Sequence, residues 1–424
     1  MDVLIAGAGI GGLVAALALH DAGFDRVAVV ESAPVVRPVG AGLNLLPNAV
    51  RELAALGLYR AVAARAVNTT EVRYHTQRGE LIVAEPRGRS AGWDWPQLSV
   101  RRGDLQSALL EAVRTRFGPR AVRTGVRVTG VDGQVVRAEH NGRAVAFRPD
   151  VLVGADGIHS AVRRALTGPS EPTWCNTVVW RGMTWSPPPH RAGSMIIAGD
   201  GERKVVVYAV TPPRPGDGRV LLNWAASLRT TPGAQVDRSD WNTPVPAAKF
   251  APGFAGWMAE GLDLAALFEG ADGCFEYPMV DREPLTAWTR GTTTLVGDAA
   301  HPMAPMGSNA TTQAVVDGRA LAYFLATADD PAQGLLAYEA HRRPVTTRVQ
   351  LANRVMGPEV VIDLVAALAP DGFGAVGEVL PPDELRGVGE RYAALAAFDR
   401  GSANARSPYD VRRARLVGAA THRA

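Results

Sequence analysis

The residues best placed to do chemistry lie near opposite ends of the chain. Gly7-Ala8-Gly9-Ile10-Gly11-Gly12 follows directly on the apolar run Val3-Leu4-Ile5-Ala6. A Gly-x-Gly-x-x-Gly turn between a strand and a helix has a physical job. Gly7 permits the tight bend, Gly9 lets backbone approach a pyrophosphate, and Gly12 lets the helix pack closely on the strand. The anion then rests on free N–H groups at a positive helix end, with Ile10 and Gly11 completing the cradle. Glu31, followed by Ser32, ends the next β-rich run, at roughly the 20-residue interval expected of a ribose-hydroxyl acceptor. An acid there disfavours a 2′-phosphate, so the turn suits FAD or NAD over NADP.

Two later segments choose between them. Val151-Leu152-Val153-Gly154-Ala155-Asp156-Gly157 is a strand and turn, with His159, Ser160 and Arg163 close behind; the bland alternative is a capped helix start. Leu295-Val296-Gly297-Asp298 closes another β run, and Pro302 and Pro305 precede Gly307-Ser308-Asn309-Ala310. Asp298 is able to accept hydrogen bonds from a ribityl hydroxyl. A helix starting at about 307–313 would turn its positive end to a flavin pyrimidine and stabilise negative charge on reduction. Two distant strand-turns touching one long phosphate-bearing cofactor fit flavin adenine dinucleotide best. His301 abuts this turn, and it reads as a structural histidine rather than a base. No second glycine-rich βαβ unit occurs, so a reducing nucleotide would dock without a domain of its own.

The elements that must position these groups are legible in outline. Residues 2–31 read as a βαβ unit with its helix over 13–22, stopped at Gly23. Another amphipathic helix spans 103–117, with Leu105, Leu109 and Val113 on one face. From about 174 to 228 strand-like runs at 177–185, 194–198, 204–210 and 219–228 are separated by Pro/Gly turns, predicting a mostly antiparallel sheet. On its inner face Trp180, Arg181, Met183, Trp185, Tyr208, Asn223 and Trp224 are candidates to meet a flat aromatic ligand. Alternation along a strand means that only some of them face it, and Trp180 and Arg181 cannot both do so. The stretch from 314 to about 398 reads as helical, broken at Pro344, Pro358, Pro370 and Pro381-Pro382.

Size and composition narrow the class. At 424 residues, 47% hydrophobic and 21% charged, the chain suits a globular enzyme with a substantial core. All but two of its 45 basic residues are arginine, the exceptions being Lys204 and Lys249. They are spread along the sequence apart from Arg412-Arg413-Ala414-Arg415, which argues against nucleic-acid binding. No apolar run approaches a membrane span, and the first strand leaves no room for a signal peptide. Cys175 and Cys274 form no framework or metal signature, so a reducing cytoplasm is expected.

The order of Gly7–Gly12, Glu31, Arg102, the Asp156-Gly157 segment and the Gly297-Asp298 segment resembles the single-component FAD-dependent aromatic monooxygenases of the p-hydroxybenzoate hydroxylase type. Within that family the segments at 42–50, 94–98, 277–282, 301–303 and 307–309 are most similar to the methylphenazine carboxylate monooxygenases. The resemblance implies a Rossmann-like FAD-binding domain, an inserted mostly antiparallel substrate sheet and a helical C-terminal region. Residues 1–75, 96–172 and 281–345 would build the FAD domain, and 76–95 (a hairpin) and 173–280 the substrate domain. Residues 346–398 would be the helical region and 399–424 a flexible tail. It also implies that Arg102 contacts the FAD, that Gly42 and Asn44 lie near the flavin, and that Val128 sits beside the adenine. Asp156 would serve both FAD and NADH or NADPH, while Pro305, Gly307, Ser308, Asn309 and Ala310 would face the ring. Relatives usually carry glycine at Ala310; a positive φ there would cost an alanine on the order of 1 kcal/mol.

The implied reaction is hydroxylation of an electron-rich aromatic or heteroaromatic, with CO2 lost where the reacting carbon carries a carboxylate. NAD(P)H would reduce the flavin and O2 would then give a C4a-hydroperoxide, buried from water. Natural-product biosynthesis and aromatic catabolism both need such a step, and no side-chain base is required. The partner would be a small aromatic, the protein a monomer or homodimer, and no metal is needed. The alternative is a flavin dehydrogenase or reductase without oxygen insertion. A halogenase of this fold would need an active-site lysine, and no lysine precedes Lys204.

Overall fold

The computed structural model describes residues 1–36, 40–231 and 243–411. The Arg412–Arg415 cluster lies outside them.

The first layer is a parallel sheet with strand order Thr293–Leu295, Val151–Gly154, Val3–Ala6, Val27–Glu31, Val122–Thr124. Its two central strands, Val3–Ala6 and Val151–Gly154, are buried at every position, which is why their sequences are unbroken apolar runs. The helix Ile10–Asp21 is likewise buried almost all round. It is wedged between this sheet and the Ala310–Thr327 helix, so closely that a Cβ on Gly318 would lie 2.8 Å from the Ala15 nitrogen. Two three-stranded antiparallel sheets flank the layer: Val126–Asp132, Val135–His140 and Arg143–Phe147, and Gly42–Leu45, Gln97–Arg101 and Ala66–Thr69.

The second layer is an eight-stranded sheet. Its order is Thr243–Val245, Cys274–Asp281, Thr173–Ser186, Val220–Arg229, Arg203–Ala209, Ser194–Gly199, Glu71–Thr76, Leu81–Pro86. All its pairs are antiparallel except Ser194–Gly199 with Glu71–Thr76, where an early segment joins a late one. The early hairpin therefore starts at Glu71, and a boundary between residues 75 and 76 would cut its first strand.

The C-terminal third departs from expectation twice. Pro344 does not break its helix, which runs unbroken over Pro331–Arg354. Tyr338, Arg342, Thr346 and Val349 are buried on either side of the proline, and this packing outweighs one missing N–H donor. The expected tail is also packed as far as it is described. Asp399 caps the short Arg400–Asn404 helix, and Tyr409 and Val411 join the main core. Small polar residues hid these anchors in the sequence. No described helix is long and apolar enough to cross a membrane.

Candidate functional site

Where the parallel strands end, a cleft of about 820 Å³ opens. Gly7, Gly9, Glu31, Ser32, Arg102, Val128 and Asp156 all line it. Gly7 has φ +109°, and a side chain there would strike the Ala155 carbonyl. Gly9 has open space where its Cβ would be, so its backbone is accessible from the cleft. The Ile10–Asp21 helix has no side-chain cap, which leaves its first N–H groups for a ligand. Gly12 has no room for a side chain against the Gly7 carbonyl, while Gly11 and Ile10 turn toward the protein. Glu31 is fixed by main chain, accepting from Ala8 N at 2.9 Å and Ala33 N at 2.8 Å, with the Ser32 hydroxyl at 3.1 Å. A helix end at one side of the cleft and an anchored carboxylate at the other match a pyrophosphate joined to a ribose.

The two aspartates of the sheet's other turns play different parts. Asp156 accepts from the Ser160 hydroxyl, from Ala161 N at 2.8 Å and from Val162 N at 3.3 Å. It lines the cleft, yet its carboxylate is engaged at the start of the Ala161–Thr167 helix. Burial pushes its pKa up, and those hydrogen bonds pull against that push. Asp298 is exposed between buried neighbours, on the 3-10 turn Gly297–Ala299.

Beneath that turn lies a buried ionic knot. His301 Nε2 is 2.5 Å from Asp317 Oδ2, and the same carboxylate accepts from Gly297 N at 3.0 Å and Arg342 Nε at 2.9 Å. Burial raises the Asp317 pKa, but the charges of His301 and Arg342 with these hydrogen bonds leave it below the ordinary value. His301 is wholly buried and holds the turn from behind, as a structural histidine would, although its partner is a carboxylate rather than backbone.

The loop expected to face a flavin is shaped by Gly307 and Ser308, at φ 61° and 57°. Ala310 is the first residue of the Ala310–Thr327 helix with no positive φ, so the departure from glycine costs nothing there. Pro305 is exposed beside it. Asn309 differs from expectation: its side chain is buried and turned away, bonded to Gly307 O, the Tyr392 hydroxyl and Gln313. Asn44 likewise spends its carboxamide oxygen on the Ser99 hydroxyl at 2.6 Å. Gly42 N donates to Asn223 Oδ1 at 2.6 Å, which ties its strand to the large sheet.

The large sheet sorts the aromatic candidates. Trp180 and Trp224 face away from the cofactor domain. Trp180 stacks on Phe250 at 4.8 Å, and Trp224 packs on Phe268 at 4.7 Å with its indole N–H on Thr184. They are core, because strand alternation puts them on the face covered by the 247–268 excursion. Met183 and Tyr208 lie on the opposite face. Sequence reasoning missed several residues there. A second cavity of about 30 Å³ separates that face from Gly307 and Ser308, bordered by Tyr74, Arg87, Met195, Ile197 and Tyr392. Lys204 is buried on the same face, donating to Glu359, which borders the cavity, and contacting Met306 Sδ at 3.1 Å; Glu359 also accepts from Gly307 N at 3.2 Å. Only side-chain alternation on a correctly registered strand could have flagged Lys204.

Two further basic side chains border the cleft, His159 and Arg164, with the buried Arg163 and Arg282 close behind them. Burial and the nearby Arg282 pull the Arg163 guanidinium down to about 10.

A family model described as an FAD binding domain matches residues 1–238 and 278–352. The chain belongs to that family. It is an FAD-dependent aromatic monooxygenase of the p-hydroxybenzoate hydroxylase type, using NAD(P)H and O2. Among relatives, it is 41% identical over 366 residues to the phenazine 1,6-dicarboxylic acid hydroxylase PhzS of Lysobacter antibioticus, covering 83% of this chain and 89% of that protein. It is 30% identical over 361 residues to 3-hydroxybenzoate 6-hydroxylase 1 of Aquipseudomonas alcaligenes, covering 83% and 88%. Klebsiella pneumoniae HpxO, solved with FAD and uric acid, shares the fold with a TM-score of 0.71 at 24% identity, covering 95% of this chain and 97% of that one.

Proposed function

We propose that this monooxygenase hydroxylates a fused, carboxylated nitrogen heteroaromatic of the phenazine type, losing CO2 if the reacting carbon carries the carboxylate. The observation that carries the reading is the 41% identity to a phenazine dicarboxylic acid hydroxylase across most of both chains.

The residues divide the work. Gly9 and the uncapped end of the Ile10–Asp21 helix would hold the pyrophosphate of FAD, Glu31 the adenosine ribose, and Val128 the adenine, all of them lining one cleft. Arg102 and Asp298 would hold the ribityl chain. Asp156 acts indirectly, by holding the turn that walls the cleft. Bound there, FAD supplies the electron storage and oxygen activation that no side chain can. The backbone of 305–310, which leads into a helix start, would bind the flavin ring and favour negative charge on it. Asn309, pinned by Tyr392, keeps that backbone fixed. The substrate lies between the ring and the sheet face carrying Met183 and Tyr208. The C-terminal helices closing over this face exclude water. The cluster of His159, Arg163, Arg164 and Arg282 supports docking of an anionic NAD(P)H at the same mouth. Two free thiols suit a cytoplasmic setting.

The test is purified yellow holoenzyme given NAD(P)H, 18O2 and phenazine-1,6-dicarboxylate. One labelled oxygen in the product, with faster NAD(P)H oxidation, is expected. Oxidation unaffected by the aromatic, or a product free of label, would favour a dehydrogenase and overturn the reading.

A further inference from the structure

The cavity between the inner sheet face and Gly307–Ser308 measures about 30 Å³. That is room for about one or two waters, whereas small-molecule sites run to about 300 Å³ or more. A fused aromatic enters this region only if a wall moves. The sheet is a fixed wall: Met195, Ile197 and Tyr74 stand on strands that are each hydrogen-bonded to a neighbour on both sides. The 302–307 loop is fixed as well, held from behind by its carbonyls. Pro302 O accepts from Gln350 at 3.0 Å, Ala304 O from Asn353 at 2.7 Å and Met306 O from the Tyr392 hydroxyl at 3.2 Å.

The C-terminal wall is uneven. Val361, Ile362 and Val365 of the Val360–Leu368 helix are buried on the sheet, and so is Leu385 of the Pro382–Leu395 helix. The connection between these helices, 369–381, has no buried residue. Its Phe373, Val376 and Leu380 rest half-buried on the apolar cluster that holds Met195, Ile197 and Tyr208. Gly372, Gly374 and Gly377 interrupt it, Gly372 with φ +95°. Hydrogen bonds tie it to the tip of the early hairpin. Arg78 donates to Asp371 O and, at 3.3 Å, to Pro370 O, while Glu80 accepts from Phe373 N at 3.4 Å. Both side chains press on Gly372, where a Cβ would lie 2.6 Å from Glu80 Oε1. Segments with few buried contacts and exposed hydrogen bonds are the ones that open locally.

We propose that residues 369–381 form a lid over the substrate face, latched by Arg78 and Glu80, which opens to admit a ring system too large for the closed site. The size of that ring system rests on the function proposed above. Shut, the apolar underside of the lid keeps water from the site. A latch made alike over an empty and a filled site sets the speed of entry and exit and leaves affinity alone.

The experiment is stopped-flow binding of phenazine-1,6-dicarboxylate to holoenzyme, read by flavin absorbance. Amide exchange of 369–381, followed by mass spectrometry without any aromatic, accompanies it. R78A/E80A should raise the association and dissociation rates together by about three-fold or more, keep Kd within about two-fold, and speed exchange in 369–381. G374A/G377A should slow both rates and the exchange. Neither glycine has a positive φ, and the nearest atom to either new methyl is 3.9 Å away, so the closed lid accepts alanine while the open one loses freedom. A changed Kd with an unchanged association rate overturns the lid, by making the segment part of the binding wall. Rates unmoved in both variants overturn it too. If wild type does not bind the dicarboxylate, the substrate class fails by itself and exchange decides the lid. Opposite shifts in the two variants uphold it, and no shift sinks it.

Discussion

The two faces of the eight-stranded sheet carry similar residues and do opposite things. On the outer face Trp180, Trp224, Phe250, Phe254 and Phe268 fill one another's space, and the few polar atoms are answered locally, Trp180 by Glu276 and Trp224 by Thr184. On the inner face Lys204 and Asn223 are tied to other domains, and the Arg181 Nε has no hydrogen-bond partner. Aromatic content does not tell a core from a binding face. Completeness of packing and of polar pairing does.

The largest effect should come from the outer face. Trp224→Ala should cost about 4 kcal/mol of stability, read as a lowered urea midpoint, and leave substrate affinity of the folded fraction unchanged. Affinity lost without stability would reverse the assignment of faces. On the inner face Glu359→Gln should cost about 3 kcal/mol by stranding Lys204. The double variant with Lys204→Met should recover most of that. It should still waste more NAD(P)H as hydrogen peroxide, because Gly307 loses an anchor.

Acid should separate the two regions as well. The pKa of Asp317 is depressed in the fold, so its stabilisation is complete above the ordinary carboxylate value and is lost as pH falls through the lower folded value. Flavin dichroism should therefore fade below about pH 4 before tryptophan emission shifts. Loss of both together would mean that the knot does not act locally. A smaller effect is expected of Asn223→Ala, about 1–2 kcal/mol from the unanswered Gly42 N–H, with weaker FAD retention on a desalting column. The smallest concerns the thiols. Burial pushes Cys175 up to about 11 and raises Cys274 too, so neither should react with a disulfide reagent at pH 8 until the protein is unfolded.

Much of this architecture was legible because local physics dictates it. The turn at Gly7–Gly12 needs its glycines wherever it occurs, and a two-sided buried strand must be an apolar run. Four of the eight strands of the large sheet, Thr173–Ser186, Ser194–Gly199, Arg203–Ala209 and Val220–Arg229, were legible within a few residues from their β-rich runs between Pro/Gly turns. What stayed hidden depends on register and on long-range partners. Asp156 and Asp298 look alike in sequence, both lying within two residues after a glycine at a strand end. Only the helix that starts at Ala161 makes one of them a cap. Asn309 and Asn44 read as flavin contacts, yet their side chains are drawn inward by Tyr392 and Ser99, which lie far off in the chain. Trp180 and Arg181 are adjacent, and alternation alone could say that one faces inward, not which.

The parallel pairing of Ser194–Gly199 with Glu71–Thr76 reaches beyond catalysis. Residues from before the second half of the nucleotide fold complete a sheet made mainly after it. A fragment spanning 173–280 alone would present Ser194–Gly199 as a naked apolar border, ready to recruit its own kind into aggregates. During synthesis the early hairpin must wait, half-matched, until the ribosome has delivered its later neighbour. Splitting this enzyme into separately expressed modules is thus barred by its topology.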